Sequence, residues 1–305
     1  MRVAVFGASG VQGRAQVAAL VHAGHQPVAI SRSPKPIEID GNPVETAAAD
    51  FADAKALDLA LSGVEVIFLN LPSTSFQKAE PVIAAARNVG EAAKRTPTLK
   101  LLIFNTSMPV PKVPQNIEAQ DHRREMRRVL RDLGLPVVSI EPVVFIDNLL
   151  EGWALPPIVE RNTIVYCHKE DLEVSWICHH DVAQLMIAAM ERGPELAGRD
   201  IPVGGPETVR LAQLTEKLAR AWNRPMQYES KEVDEFCDGI GDAMSTRSGL
   251  DRDVVVDQMR RAYRWYNDHP SDPFKVDMAP VLKELPVKLT PIEEWARWQK
   301  LPSKA

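Results

Sequence analysis

The first half of the chain alternates between short apolar runs and longer stretches with apolar residues at helical spacing. Residues 3–6 form an apolar run that predicts a strand buried on both faces. Helical spacing follows over residues 15–21, Gly24 ends it, and residues 27–31 predict a second strand. This order defines a βαβ unit, whose two strands are parallel and joined by a right-handed crossover.

The same alternation continues as far as Pro142. It predicts strands at 44–48, 64–69, 101–104 and 137–140, and helices at 53–63, 76–95 and 116–133. Asp53 is a suitable N-cap for the first of these helices. Together the elements predict an α/β fold, a doubly wound parallel sheet of the Rossmann type.

After Pro142 the pattern is less regular. It predicts one strand at 201–203 and helices at 181–191, 208–222, 254–266 and 292–298. Residues 237–253 are rich in Gly, Asp and Ser, which predicts a mobile loop or lid. We expect a Rossmann domain at 1–150 and a smaller substrate-binding region at 151–305, of which residues about 180–205 pack back on the first domain.

Composition and charge limit the classes of partner that the protein is expected to bind. The 305 residues are 45% hydrophobic, enough for one large domain or a domain with a smaller companion. A net charge of -5 argues against a general nucleic-acid surface. No stretch is long and apolar enough to span a bilayer, and the first residues lack signal-peptide anatomy. We therefore expect a cytoplasmic protein with no membrane partner; a homodimer is compatible with the sequence.

The three cysteines, Cys167, Cys178 and Cys237, are an odd number at irregular spacing, which predicts free thiols in a reducing compartment. Histidines adjoin the first two, and thiolate and imidazole together are typical zinc ligands. The spacings match no zinc motif, and neighbours on a strand point to opposite faces. We expect no metal.

Residues 7–13 form a GxxGxxG loop between the first strand and the first helix. Gly7 permits a tight turn, Gly10 lets the backbone approach a pyrophosphate, and Gly13 allows close packing of helix on strand. Free N–H groups at the helix start attract phosphates. The βαβ context makes this common pattern specific, and it predicts a dinucleotide site that also includes Ser9, Val11 and Gln12.

The end of the second strand indicates which dinucleotide binds. A site for NAD usually has an acidic residue there, but this chain has Ser31 and Arg32, with Lys35 close behind. A guanidinium group suits a phosphate as a permanently charged, bidentate partner. We therefore predict NADP(H), with its 2′-phosphate at Arg32 and Ser31. The alternative is a solvated basic loop.

Several segments resemble the NmrA-like branch of the atypical short-chain dehydrogenases. They start with the glycine loop and residues 31–34 and extend over nearly the whole chain. The more specific landmarks are residues 49–51, 130–136, 141–148, 180–183, 205–207 and 290–295. The resemblance implies a Rossmann domain that binds NADP(H) and a small C-terminal substrate-binding part. It implies either a reductase of small aromatic or carbonyl compounds or a redox-sensing regulator that binds the dinucleotide without turnover.

The resemblance also implies roles for individual residues. Asp50 and Phe51 match the positions that flank the adenine. Leu69, Asn70 and Leu71 match the segment that runs along the nicotinamide. Thr106 and Ser107 end a strand at the mouth of the cleft. On the substrate side we expect Phe145, Asn148 and Trp153.

The helix at 116–133 departs from the family pattern. Catalytic members usually carry a lysine at the position that Arg123 occupies here, and an arginine does not release a proton at ordinary pH. Helical spacing places His122 and Arg123 at the N-terminal end of the buried face, near the expected ligand cleft. The other arginines are expected to form a solvated basic face; they are Arg124, Arg127, Arg128 and Arg131.

We expect His122 to donate the proton of a reduction, because histidine ordinarily titrates near neutrality, and Arg123 to stabilise negative charge. The alternative is that His122 only makes local hydrogen bonds. The sequence favours an NADPH-dependent reductase of a small organic, aromatic carbonyl or related compound. A non-catalytic NADP(H) sensor, and an isomerase or lyase that uses its cofactor without net turnover, stay open as alternatives.

Overall fold

Two sheets organise residues 1–74, 78–248, 250–270 and 272–301, the part of the chain that the computed structural model describes. The strands are, in chain order, β1 (Arg2–Phe6), β2 (Gln26–Ser31), β3 (Ile37–Ile39), β4 (Asn42–Ala48), β5 (Val66–Asn70), β6 (Leu101–Asn105), β7 (Val137–Pro142), β8 (Thr163–Tyr166), β9 (Asp200–Val203) and β10 (Gln227–Ser230). The larger sheet has the order β3-β4-β2-β1-β5-β6-β7-β9, and β8 pairs with β10. Only the β3–β4 pair is antiparallel among these strands.

Helices join the strands and build the C-terminal part. They are α1 (Val11–His22), α2 (Ala54–Ala60), α3 (Ala79–Lys94), α4 (Glu118–Asp132), α5 (Leu155–Arg161), α6 (His179–Arg192), α7 (Leu211–Trp222), α8 (Val233–Ser248), α9 (Arg252–Asp268), α10 (Ala279–Glu284) and α11 (Ile292–Trp298), with 3-10 turns at Ile146–Leu150 and Pro194–Leu196. The predicted α/β, doubly wound Rossmann fold is confirmed by this order of strands and helices. Residues 76 and 77 of the helix predicted at 76–95 lie outside the described residues.

Both faces of the large sheet are covered by helices. Helices α1 and α6 pack on one face, and α2, α3 and α4 pack on the other. The central strands are therefore apolar throughout, and every residue of β6 is buried. This is why β1, β5 and β6 were recognisable as unbroken apolar runs.

The second half of the chain completes the first half's sheet. Strand β9 lies parallel to β7, and α6 packs along α1. The side chain of Asp181 on α6 is buried and accepts two hydrogen bonds from Thr290. The backbone N of Thr290 donates at 2.8 Å and its Oγ1 donates at 2.7 Å. These contacts attach the C-terminal segment to the Rossmann layers.

One hairpin was missed in the sequence analysis. Strand β3 turns into β4 through Asp40 and Gly41, both with positive φ (51° and 77°). An Asp-Gly pair with this geometry is a strong signal for a two-residue hairpin turn. The short Ile-Glu-Ile run before it was therefore an edge strand.

The prediction of a mobile loop or lid at 237–253 is wrong. Most of it belongs to α8, and α9 begins at Arg252. Phe236 and Cys237 of α8 pack against Val256 of α9, and the burial of this apolar seam outweighs the low helix propensity of two glycines. A Cβ at Gly241 would lie 2.5 Å from Cγ2 of Val256, so this glycine allows the two helices to approach closely.

The solvated basic face expected on α4 is wrong at Arg127. Its side chain is 7% exposed and pairs with Glu141 of β7, and its Nη1 lies 2.9 Å from Oδ1 of Asp200 on β9. Arg131 reaches the same carboxylate at 2.7 Å. Strand β9 brings in that carboxylate, which the sequence of α4 alone could not reveal.

Membrane insertion finds no support in the described helices, since each is too short or too polar to cross a bilayer.

Candidate functional site

The glycine loop closes tightly on itself at the carboxyl end of β1. Gly7 has a φ of +71°, and the N–H of Gly10 donates to the carbonyl of Gly7 at 3.0 Å. A Cβ at Gly13 would lie 2.3 Å from that same carbonyl oxygen, so the first turn of α1 packs directly on the loop. Gly10 is the N-cap of α1 and has no side chain to satisfy the first N–H groups, which leaves them for a ligand.

A network of amide side chains supports the loop from below. Asn70, at the end of β5, donates to the carbonyl of Phe6 at 2.8 Å and to Oε1 of Gln16 at 2.7 Å. Asn105, at the end of β6, donates to Oε1 of Gln12 at 2.6 Å. These bonds connect three neighbouring strand ends to α1 and fix the loop over the sheet.

The first cavity, called here the loop cavity, lies along this loop and has a volume of about 640 Å³. It is lined by most of the residues predicted to bind a dinucleotide, namely Gly7, Ser9, Gly10, Val11, Gln12, Gly13, Ser31, Arg32, Phe51, Asn70, Leu71 and Ser107. The other predicted residues do not line it: Asp50 caps Ala52 N at 2.9 Å, and Leu69 and Thr106 are buried in the sheet layer.

A second, basic cavity of about 470 Å³ adjoins the loop cavity at Ser9 and Ser31. Arg14, Lys35 and Ser33 also line it, together with one carboxylate, Glu38. Two cationic side chains, Arg14 and Lys35, therefore line the cavity next to the end of β2, and Arg32 at the same strand end lines the loop cavity. The sequence analysis did not include Arg14, although its position one residue after Gly13 in the first helix placed it beside the loop.

Arg123 lines the loop cavity, although its side chain is almost fully buried. It is 1% exposed, and its Nη2 donates to the carbonyl of Leu71 at 2.8 Å. Burial without a paired carboxylate lowers the pKa of Arg123 to about 10, so the side chain stays charged at neutral pH. Its fixed charge and donor groups hold the segment after β5.

His122 lines neither the loop cavity nor the aromatic cavity described below. Its Nδ1 lies 3.0 Å from Oγ1 of Thr74, a buried residue of the segment after β5. Together with Arg123, it anchors residues 71–74 from one helix. This contact is the local hydrogen bond named as the alternative for His122, and its role as a proton donor stays a prediction.

A third, aromatic cavity of about 550 Å³ continues from the loop cavity. The predicted substrate residues Phe145, Asn148 and Trp153 all line it. Sequence reasoning missed most of its other aromatic lining, which comes from β8, α9 and the segments after them: Tyr166, His168, Tyr263, Tyr266 and Phe274. These residues are far apart in the chain, and no local motif connects them.

The two larger cavities share a wall, which is formed by Val11, Gln12, Pro72, Ser73, Ser107 and Glu151. Ser107 has a φ of +60°, and its hydroxyl donates to Oε1 of Gln12 at 3.2 Å. Non-glycine residues seldom adopt that conformation, so the turn after β6 directs this hydroxyl in a restrained way. The two cavities are therefore adjacent along these six residues.

A metal site receives no support from the described histidines, cysteines and acids, which do not cluster in threes or more. Cys167, Cys178 and Cys237 are buried free thiols. Burial raises the pKa of the Cys237 thiol to about 12 and that of the other two further. The cysteines are therefore inert, uncharged core residues.

Comparison with known proteins identifies the family. The model of the NmrA-like family matches residues 1–296, so the chain belongs to the NmrA-like family. A relative from Streptomyces griseus, (4-alkanoyl-5-oxo-2,5-dihydrofuran-3-yl)methyl phosphate reductase, is 31% identical over 233 residues, or 76% of this chain and 78% of that one. An NAD(P)H azoreductase of Xenophilus azovorans is 25% identical over 194 residues, or 63% of each chain.

Among solved structures, the negative transcriptional regulator NmrA in complex with NADP aligns with a TM-score of 0.71 and 20% identity. The alignment covers 97% of this chain and 94% of that one. At this identity the likeness shows a shared fold.

Proposed function

We propose that the protein is an NADPH-dependent reductase of a small organic compound that carries a carbonyl or related group. The observation that carries the proposal is the wall shared by the loop cavity and the aromatic cavity. A reductase needs its dinucleotide and its substrate in direct contact, and a cleft at the carboxyl ends of parallel strands is where such ligands bind. The relatives from Streptomyces and Xenophilus are named as reductases, which supports this reaction class.

The loop cavity fits a dinucleotide. Gly7, Gly10 and Gly13 line it, and the N–H groups at the start of α1 suit a pyrophosphate. Phe51 gives an aromatic surface at the end near Arg32, which suits an adenine. Arg32, Arg14 and Lys35 together would hold a 2′-phosphate, which favours NADPH over NADH.

The bound dinucleotide would supply the hydride. The chain's own contribution is to place the acceptor: Gln12 and Ser107 form the wall, and the amide network keeps both side chains in place. Ser73 and Ser107 line both cavities, and their hydroxyls would pass a proton from water to the reduced oxygen. Arg123 and His122 act as positioning residues, because they hold residues 71–74 rather than facing the wall.

The test is a titration with NADPH and NADH followed by a screen of NADPH oxidation. The screen would include aromatic aldehydes, ketones, quinones and enones. We expect tighter binding of NADPH and steady turnover of one compound class. The Ser107→Ala variant should lower kcat by about tenfold, a larger factor than its effect on NADPH affinity, if its hydroxyl relays the proton. Preferred binding of NADH would contradict the assignment of the basic residues.

A second candidate is a non-catalytic NADP(H) sensor. It is favoured by one observation: the position of the family lysine is taken by a buried arginine, which donates to the carbonyl of Leu71 and stays protonated at neutral pH. The NmrA regulator shares the fold. Tight NADPH binding with no oxidation across the whole panel would favour the sensor over the reductase.

A further inference from the structure

The reduction proposed above needs an acid that protonates the reduced oxygen. Serine hydroxyls and water are very weak acids, so a positioned side chain that ionises near neutrality would protonate an oxyanion faster. Arg123 stays charged at neutral pH, and His122 lines neither the loop cavity nor the aromatic cavity. The acid is therefore to be sought among the side chains that line the aromatic cavity.

His179, the first residue of α6, has access to this cavity. It lines the aromatic cavity, and 13% of its side chain is exposed. Its ring nitrogens make no hydrogen bond within the part of the chain that the structure describes. Neither nitrogen is fully enclosed, in contrast to Nδ1 of His168. The imidazole of His179 can therefore donate to a ligand.

Contacts on two sides hold this imidazole in place. Its ring centroid lies 4.5 Å from that of Phe145, which also lines the aromatic cavity. Its Nδ1 lies 3.7 Å from Oδ1 of Asp147, and Oδ2 of the same carboxylate accepts from the backbone N of His179 at 2.9 Å. Trp295 Nε1 donates to Oδ1 of Asp147 at 3.3 Å. The carboxylate is therefore fixed beside Nδ1, which leaves Nε2 for a ligand.

The charges around His179 suit a proton donor. Burial lowers the pKa of His179, whereas the negative charges of Asp147 and Glu151 oppose this effect. Glu151 lines both the loop cavity and the aromatic cavity, so His179 lies within electrostatic reach of the wall that they share. The pKa of His179 is lower than the ordinary value of about 6.5, so its imidazolium releases a proton more readily than that of a free histidine.

We propose that His179 is the proton donor of the reduction and that Asp147 is its positioning residue. As the carbonyl carbon accepts the hydride of NADPH, the electron pair of the C=O π bond moves to the oxygen, and the imidazolium of His179 gives that oxygen its proton. NADP⁺ and an alcohol are formed, and the neutral imidazole takes a new proton from water. This inference rests on the proposed function, because it assigns the acid of the same site.

Nuclear magnetic resonance of protein labelled at the histidine Cε1 tests the placement of His179 without turnover. The chain has seven histidines, and the signal missing from His179→Gln identifies the one in question. Its pKa is measured with bound NADPH and with bound NADP⁺, which differ by the positive charge of the nicotinamide ring. We expect a pKa lower by about 1 with NADP⁺, the effect of a unit charge roughly 10 Å away. An equal pKa in the two complexes would overturn the proposal.

The pH profile of turnover tests the donor role. In the wild type, kcat should fall as the pH rises through the pKa of His179, because only the protonated ring donates. His179→Gln should lower kcat about a hundredfold, a much larger factor than its effect on NADPH affinity, and should remove this pH dependence. Asp147→Asn keeps an acceptor oxygen and removes the charge that raises the pKa of His179, so the fall in kcat should move to lower pH.

The matched control is His180→Gln, at the exposed neighbouring histidine on α6, whose ring lies 5.6 Å from that of Trp298. It should keep the kcat and the pH profile of the wild type. If the wild type reduces a compound and His179→Gln has the same kcat and pH profile, the reductase stands and the role of His179 fails. If the wild type reduces no compound of the panel, the reductase fails and the donor role fails with it.

Discussion

At Gly13 the loop and the first turn of α1 leave no room for a methyl group. A Cβ there would lie 2.3 Å from the carbonyl oxygen of Gly7 and 2.7 Å from Cα of Ala8, both of them backbone atoms that cannot rotate away. We therefore expect Gly13→Ala to displace the loop and weaken NADPH binding by at least about tenfold, because the phosphate-binding N–H groups move with it. A fluorescence titration with NADPH measures this.

The matched control is Gly239→Ala, on α8, where an added Cβ would meet no atom within 4 Å. It should leave NADPH affinity unchanged and raise the melting temperature slightly, since alanine favours a helix over glycine by about 1 kcal/mol. Wild-type affinity in Gly13→Ala would show that the loop does not hold the dinucleotide.

The ionisation of one buried residue, Glu141, affects the stability of the whole protein. Burial raises the pKa of Glu141 to about 7, and this outweighs the opposing effect of Arg127, whose charge Asp200 shares. In the unfolded chain a glutamate titrates near its ordinary pKa of about 4.3. The folded state therefore binds this proton more tightly, and its stabilising effect is lost as the pH rises from about 4.5 to 7.

The variant Glu141→Gln resembles the protonated form and removes this titration. We expect the wild type to lose about 2 kcal/mol more than the variant between pH 5 and pH 8. Urea unfolding at both pH values measures the difference, and Asp277→Asn, at an exposed capping residue, is the control. Parallel pH profiles in wild type and variant would show that Glu141 is ionised throughout.

At the scale of the element, α1 and the end of β2 determine the choice of dinucleotide. Arg32 faces the loop cavity, whereas Arg14 of α1 faces the basic cavity beside it. If both hold the 2′-phosphate, Arg14→Ala and Arg32→Ala should each weaken NADPH binding about tenfold and leave NADH binding nearly unchanged. The exposed Arg87→Ala is the control. An equal loss for both dinucleotides would assign the arginines to the shared pyrophosphate instead.

The elements that were predictable are those whose signals are local. The run before Gly7, the glycine loop and the N-cap Asp53 each depend on neighbours in sequence, and the structure has a strand, a loop and a helix there. Helix α8 was missed because its glycines suggested a loop, while its stabilising partner is the seam on α9. Arg127 was assigned to solvent because its partners lie on other elements, Glu141 on β7 and Asp200 on β9, the second about 70 residues away in the chain.

The same difference between local and long-range signals applies to the candidate site. The glycine loop could be found from sequence because a pyrophosphate needs consecutive backbone groups. The aromatic cavity draws on Tyr166, Tyr263 and Phe274, which pack together only in the folded protein, and single aromatic residues are usually just core. His122 was singled out by its position on a helix, but it lies within hydrogen-bonding distance of Thr74 and lines neither the loop cavity nor the aromatic cavity.

At the scale of the whole molecule, the two halves of the chain share one sheet. A cut at residue 150 would remove β9 from the edge of the sheet and α6 from its face, and so expose apolar residues on α1 and β7. The tie between Asp181 and Thr290 extends this packing to the C-terminal segment. The geometry therefore favours one cooperative unit over two domains that unfold separately.

This can be tested because all six tryptophans lie after residue 150, the first being Trp153. Tryptophan fluorescence therefore reports on the second half of the chain, whereas loss of NADPH binding reports on the first. In urea we expect both signals and the far-ultraviolet circular dichroism to change with the same midpoint, because unfolding either half exposes the core of the other. A fluorescence transition well below the loss of NADPH binding would show that the Rossmann layers survive without the C-terminal part, and that β9 and α6 add little to their stability.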